Sequence, residues 1–344
     1  MTATSADPPY LPGLSLAEYA ELIHREFPEL ADALWLDRPG IGAALASVTG
    51  TVNEFEDDDA GRGRSYRRAQ RSQLVRARGI HSLFALAAGV ARLADIRPGW
   101  RMLDVLGGDG LLAQVLRTVA PQAATITGDT AGNMVLAALR NGLPAVRQPA
   151  QCLLVRDEAV DAVVIAYGSH HIAPPDRSIA CAEAARVLVP GGRLVLHDFE
   201  EGSPVALWFA DVVHRYSRAG HSYRHFTAAE MAHHLAASGL RDVRVHRVYD
   251  PFVMRAADPA RARDLLADHL VDMYGLVGLA DEAPADVRRA AWKLASNYFL
   301  YPDIAGGVDI AGDGPVRCEP VVYEAETGWV AEVPRVALVA VGEK

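Results

Sequence analysis

A chain of 344 residues, half of them apolar, is long enough to bury one elaborated core, or a core with a smaller partner. Its formal net charge of -9 leaves no broad electrostatic footprint for nucleic acid, and the one basic cluster spans residues 62–78. Three widely spaced cysteines, Cys152, Cys181 and Cys318, exclude a disulfide framework and a cysteine zinc site, and no uninterrupted apolar run reaches about 18 residues. A soluble, cytoplasmic protein is expected, with a small-molecule partner, no nucleic acid, no membrane, and a homodimer as the possible assembly.

Residues 15–36 read as an amphipathic helix, with Ser15 as N-cap and Glu18 three residues on, the spacing of a reciprocal capping box. The acidic run 54–59 and the following "AGRGR" read as a solvated loop. A second helical stretch spans 65–96, basic in its first half and apolar in its second, with Gly79 as a break.

After "RPGW" the pattern changes to short β-branched runs alternating with helical segments, which predicts a parallel sheet with crossover helices. Strands are expected at 101–105, 124–128, 145–148, 162–166 and 193–198. Helices are expected at 111–119, 133–140 and 176–188, the last closed by "PGG". A helix at 204–217 follows, then one capped by Thr227 with Glu230 three residues later. Two further β-like runs, "DVRVHRVYDPFVM" and "RVALVAVG", stand apart by about 80 residues rich in predicted helix at 261–276 and 285–298. A gap of that length is an insertion, because ordinary connections run to about 4–6 residues.

In an open parallel sheet ligands bind beyond the carboxyl ends of the strands, most often at the first strand-to-helix turn. Here that turn is "DVLGGDG", in which Gly107, Gly108 and Gly110 let backbone approach a ligand with no side chain between. Gly108, Gly110 and Ala113 also fit G-x-G-x-x-A, which leaves an NAD(P)-dependent oxidoreductase as one alternative. Asp129, 25 residues after Asp104, ends the second strand, where a carboxylate accepts from ribose hydroxyls or caps the next helix.

Taken together, "LDVLGGDG", "GDTAGNMVLAA", "VDAVVIAYGSHHI" and "AARVLVPGGRLVLHDF" resemble the class I S-adenosylmethionine-dependent methyltransferases, in the branch acting on small molecules and ubiquinone-type precursors. The last motif is the most specific, and "FTAAEMAHHLAASGLRDVRV" continues the likeness, which covers roughly 97–254 and resumes at Val333. The resemblance implies an α/β, Rossmann-like fold: a seven-stranded, mostly parallel sheet with helices on both faces. It divides the chain into an N-terminal helical cap region (1–96), a cofactor-binding core (97–255), a helical insertion covering the substrate pocket (256–332) and a last core strand (333–344).

It also implies S-adenosyl-L-methionine as methyl donor. Asp104, Gly107, Gly108 and Gly110 would lie along its methionine and ribose, Asp129 on the ribose hydroxyls and Met134 near the adenine. Ala150 would flank the adenine, with Tyr167 between cofactor and acceptor. Two positions depart from the family pattern: Leu106 replaces the first glycine of the turn, and Pro149 replaces an aspartate that accepts from the adenine amino group. Loss of one acceptor removes about 0.5–1.5 kcal/mol, and Gln148 or Gln151 offers a substitute amide.

Methyl transfer needs alignment of nucleophile and methyl and, for some acceptors, a base. Tyr167, His171, His221 and His225 are the expected catalytic candidates, with His170 and Asp198 beside them at the carboxyl edge of the sheet. His171, Asp198, His221 and His225 are also nitrogen and oxygen donors of the kind metals take. No tight ligand spacing such as H-E-x-x-H is present, and no metal is expected. Tyr66, His81, Trp292, Tyr298 and Tyr301 are candidates to line a closed pocket. The expected activity is methylation of carbon or oxygen on a small organic acceptor in specialised metabolism; a methyltransferase-fold protein with a non-methylating or ligand-binding role is the other alternative.

Overall fold

The computed structural model describes residues 9–49, 55, 63–70, 72–302 and 304–344. Apart from Phe55, the expected acidic loop at 54–59 lies outside the described residues. The strands are β1 (Arg101–Asp104), β2 (Ala124–Asp129), β3 (Ala145–Arg147), β4 (Val160–Ile165), β5 (Leu188–Asp198), β6 (Arg241–Tyr249), β7 (Phe252–Ala256), β8 (Val321–Ala325), β9 (Gly328–Val333) and β10 (Val336–Glu343). Seven of them form one sheet in the order β3-β2-β1-β4-β5-β10-β6. All neighbours up to β5 run parallel, and β10 is antiparallel to both β5 and β6. The order reverses at β1 and β4, which opens a crevice at their carboxyl ends.

Alternation along the central strands feeds two apolar layers. Met102, Ala162 and Val164 pack into one layer with Phe84 and Trp208; Leu103, Val163 and Ile165 pack into the other with Tyr19 and Phe226. Both faces are therefore covered, as a parallel sheet requires.

The helix starts were more legible than the helix ends. Ser15 caps the helix Leu16–Glu26 with its capping box in place, but the helix stops at Phe27 because Pro28 has no N–H to continue it and restricts the residue before it. The stretch expected as one helix over 65–96 is Gly63–Gln70, a 3₁₀ turn Gln73–Arg76 and the helix Ala77–Ala88, which ends at left-handed Gly89. Gly79 does not break that helix. A Cβ there would stand 1.9 Å from Asp250 Oδ1, so glycine lets the helix lie directly against this carboxylate. Although residues Leu74–Asp95 are apolar enough to cross a bilayer by length and composition, Ile80, Leu83, Phe84 and Ala87 are spent on the core.

"PGG" ends no helix; the helix Pro174–Val187 stops before it, and the three residues fall inside β5. The segment 204–217 is helical as expected, with a π-helical turn at Trp208–Val213. The β-like run at 242–254 divides at Asp250–Pro251, where the chain leaves the large sheet and begins a second, β7-β9-β8. Residues 256–332 are accordingly only partly helical. Pro259–Tyr274 and Val287–Tyr298 are followed by an antiparallel hairpin, β8 with β9, in which "VVYEAETGWVAEV" alternates as two strands where a helical insertion is expected.

Candidate active site

The glycine turn after β1 is fixed by contacts that only glycine permits. The Gly107 N–H donates to the Gly128 carbonyl at 2.8 Å, and a Cβ on Gly107 would meet the Thr127 methyl at 2.6 Å. Gly110 sits at φ +90 with Leu143 only 2.4 Å from where its Cβ would be. Gly108, at φ +57, has nothing nearer than Tyr66 at 3.8 Å and opens onto a cavity of about 440 Å³. Asp129 locks the turn from β2, accepting from the Gly108 N–H at 2.9 Å and the Ala131 N–H at 2.8 Å. Its carboxylate both fixes Ala131, the residue before the next helix, and stands on the cavity wall.

Asp104 is sealed behind the turn at 1% exposure. Burial, with the Asp129 charge second, pushes its carboxyl up to about 8, against a smaller opposing pull from Arg76. The native state thus keeps a proton that the unfolded chain releases near 3.8, so stability falls as pH rises from about 4 to 8. Asp104→Asn removes that slope. Thermal melts between pH 5 and 8 are expected to show a flatter profile for the variant, and at pH 8 a gain of roughly 1–3 kcal/mol.

Around the cavity, Leu106 projects from the turn, Met134 and Ala150 form an apolar wall with Pro149, and Gln151 holds Asp176 at 2.9 Å. Gln148 is turned away: its Oε1 accepts from the Leu154 N–H at 2.7 Å and its amide nitrogen lies by Gly128. Of the two glutamines, only Gln151 reaches the wall.

At the other end a histidine cluster surrounds Asp198, the last residue of β5. Its carboxylate accepts from the Ser169 hydroxyl (2.5 Å), the His170 N–H (2.7 Å), the Phe199 N–H (2.7 Å), and His170 Nδ1 and His225 Nδ1 at 3.0 and 2.8 Å. Burial favours the neutral acid, but the two histidines and their hydrogen bonds hold Asp198 well below the usual carboxylate range. His197, one residue earlier, is pushed down to about 3 by burial and stays neutral.

Nitrogen atoms of His170, His171 and His221 lie within 4.8 Å of one another, as do ligand atoms of His170, Asp198 and His225. The first set suits a divalent ion better. Five donors already saturate Asp198, which then orients His170 from behind.

Tyr167 follows β4 with φ +59, a left-handed backbone that costs energy in a non-glycine residue and recurs at ligand-binding positions. Its N–H meets His197 Nδ1 at 3.3 Å, and its hydroxyl donates to Asp250 Oδ1 at 3.3 Å. Asp250 is also held by Arg335, whose Nε donates to its carbonyl at 2.9 Å. The Arg76 guanidinium lies 4.3 Å from the Tyr167 ring centroid.

The structure thus brings Gly108, Asp129, Met134, Ala150, Tyr167 and His171 to one cavity, with Asp104, Gly107 and Gly110 in the turn behind it. His221 and His225 are not on its wall. His225 is buried behind His170 through Asp198, and His221 stacks on Phe209 at 4.4 Å. Tyr66 lines the cavity, but His81, Trp292, Tyr298 and Tyr301 do not. His81 faces a separate groove on the other side of its helix. Arg76, Arg335 and Asp250 were missed, and the signal for them was faint: a basic 3₁₀ turn and two residues flanking Pro251 and Pro334.

A glycine turn clamped by an acid at the end of β2, in this sheet order, matches a known family. Residues 103–196 fit the family model described as methyltransferase domain. Over these residues the core of this chain is similar to that methyltransferase domain. A curated relative, the ubiquinone/menaquinone biosynthesis C-methyltransferase of Syntrophotalea carbinolica, is 34% identical over 146 residues, 41% of this chain and 59% of that protein. Its counterpart in Teredinibacter turnerae is 30% identical over 132 residues, 36% of this chain and 51% of that one. The chain therefore spans little more than half the length of these relatives. Among solved structures, a phosphoethanolamine N-methyltransferase 2 of Haemonchus contortus, in complex with phosphomonomethylethanolamine and S-adenosylhomocysteine, superposes with a TM-score of 0.50. It is 14% identical, over 87% of this chain and 60% of that one, and supports the fold alone.

Proposed function

We propose that this protein transfers a methyl group from S-adenosyl-L-methionine to carbon or oxygen of a small organic acceptor, in specialised metabolism, as a soluble cytoplasmic enzyme. The observation that carries the proposal is the Asp129–Gly108 clamp at the mouth of the cavity: a carboxylate and a side-chain-free turn offered together, where ribose and methionine need them. When bound, the cofactor supplies an electrophilic methyl on a sulfonium. Everything else falls to this chain's residues.

Asp129 would accept from the ribose hydroxyls, Met134 and Ala150 would flank the adenine, and Gln151 with Asp176 would offer polar partners in place of the aspartate absent at Pro149. Tyr167 would position the acceptor through a ring pinned by Arg76, Asp250 and His197. His171, half-buried on the wall and 4.3 Å from the Tyr223 ring, is the base candidate at hand. His225 would act only through Asp198 and His170, and His221 by packing His171, so both are positioning residues in this scheme. The relatives' names favour carbon as the methylated atom. Leu106 and Pro149, both on the wall, are the features that favour the other reading, a methyltransferase fold that binds a ligand without transferring a methyl.

The test is kinetic. With an acceptor found by screening for label transfer from S-adenosylmethionine, Tyr167→Phe and His171→Ala are each expected to lower turnover about 10²-fold or more, with cofactor affinity within twofold of the parent. Unchanged turnover in both variants would remove these residues from the chemistry.

A further inference from the structure

Arg76 stands out among the buried charges. It is 4% exposed and lines the cavity, yet among the described residues it forms no ion pair, and its one side-chain hydrogen bond goes to neutral Gln70 Oε1 at 2.5 Å. The other arginine on the wall, Arg335, is 2% exposed and matched by Asp250.

No acid makes a direct pair with Arg76. Asp250 is held by Arg335 and Tyr167 and Asp129 by two backbone N–H groups, while Asp104, Asp109 and Asp250 feel the Arg76 charge without a hydrogen bond to it. A guanidinium carries five N–H donors, and removing its charge from water is expensive unless an anion compensates. Stacking on Tyr167 fixes its plane without satisfying those donors.

We infer that Arg76 receives a carboxylate of the bound ligand, completing a charge pair that the protein leaves half-built in its cavity. Phe199, Phe209, Met273 and Tyr274 share the wall, so the remainder of a ligand entering beside Arg76 is apolar or aromatic. A carboxylate reaches this point from two sources: the amino-acid end of the cofactor proposed above, or an organic acid as acceptor. Only the first source rests on the methyl-transfer proposal.

Two matched pairs of probes separate the sources by isothermal titration of the full chain. S-adenosylhomocysteine is compared with 5′-methylthioadenosine, which lacks the amino-acid end. Phenylacetate is compared with phenylacetamide, with and without the nucleoside. In Arg76→Gln one acid is expected to lose about tenfold or more in affinity while the neutral partner changes less than twofold. Arg76→Lys is expected to recover part of that loss. A loss confined to the first pair assigns the carboxylate to the cofactor, and a loss confined to the second assigns it to the acceptor.

Equal losses for acid and neutral probe, no loss for either acid, or a parent protein that prefers neither acid would overturn the inference. Retained binding of the neutral probe shows that the variant is folded. A parent that gives no heat with S-adenosylhomocysteine sinks the methyl-transfer proposal instead, and the phenylacetate arm without nucleoside still decides Arg76.

Discussion

Asp129→Ala is expected to weaken S-adenosylhomocysteine binding by about a hundredfold or more. Two hydrogen bonds from ribose hydroxyls to an ionised acceptor contribute about 1.5–3 kcal/mol each, and each 1.4 kcal/mol is tenfold in affinity. The variant also frees the Gly108 and Ala131 N–H groups, which the carboxylate holds at 2.9 and 2.8 Å. The turn loses its anchor together with the ligand's. Asp129→Asn, which keeps one acceptor oxygen, is expected to fall between parent and alanine, and calorimetric titration ranks the three. Equal affinity in all three would remove Asp129 from the cofactor site.

The largest effect on stability is expected at Asp250. It is 1% exposed, pairs with Arg335 at 2% exposure, and accepts from Tyr167. Asp250→Ala leaves the Arg335 charge buried without its partner, a defect that costs about 3–5 kcal/mol. Replacing the pair together, Asp250→Leu with Arg335→Met, is expected to recover most of the loss, because the burial penalty of both charges disappears with them. Urea unfolding followed by circular dichroism measures each midpoint. A double variant no more stable than Asp250→Ala would show that lost packing, rather than the stranded charge, is responsible. Gly79 makes the same point from the facing helix, which approaches Asp250 too closely to carry a side chain.

The parts of this molecule legible in the sequence are those whose causes are local. Strand, glycine turn and helix follow one another within about ten residues in "RMLDVLGGDGLLAQV", so the period change marks β1, and Gly107, Gly108 and Gly110 mark the turn. Asp129 and Met134 fall into place because the next strand repeats the pattern. Arg76, Asp250 and Arg335 do not, since three remote segments meet there only after β10 inserts between β5 and β6.

The basic stretch that carries Arg76 looks on paper like any solvated face. Nor does alternation distinguish a strand that continues from one that changes sheets, which is why the break at Asp250–Pro251 and the β8–β9 hairpin were missed. His221 and His225 stand out in the sequence as catalytic candidates. Their place behind His170 rather than on the cavity wall depends on Asp198 collecting both His170 and His225.

Leu106 is the position where sequence and structure together sharpen the question of cofactor fit. It stands on the cavity wall beside Gly168, 3.8 Å from where a Cβ there would lie, while Gly108 still leaves the turn open. The most direct measurement is a calorimetric titration of the parent protein with S-adenosylmethionine and S-adenosylhomocysteine. Saturable binding of both at one site per chain, lost in Asp129→Ala, is the predicted result; no heat from either ligand would contradict the account.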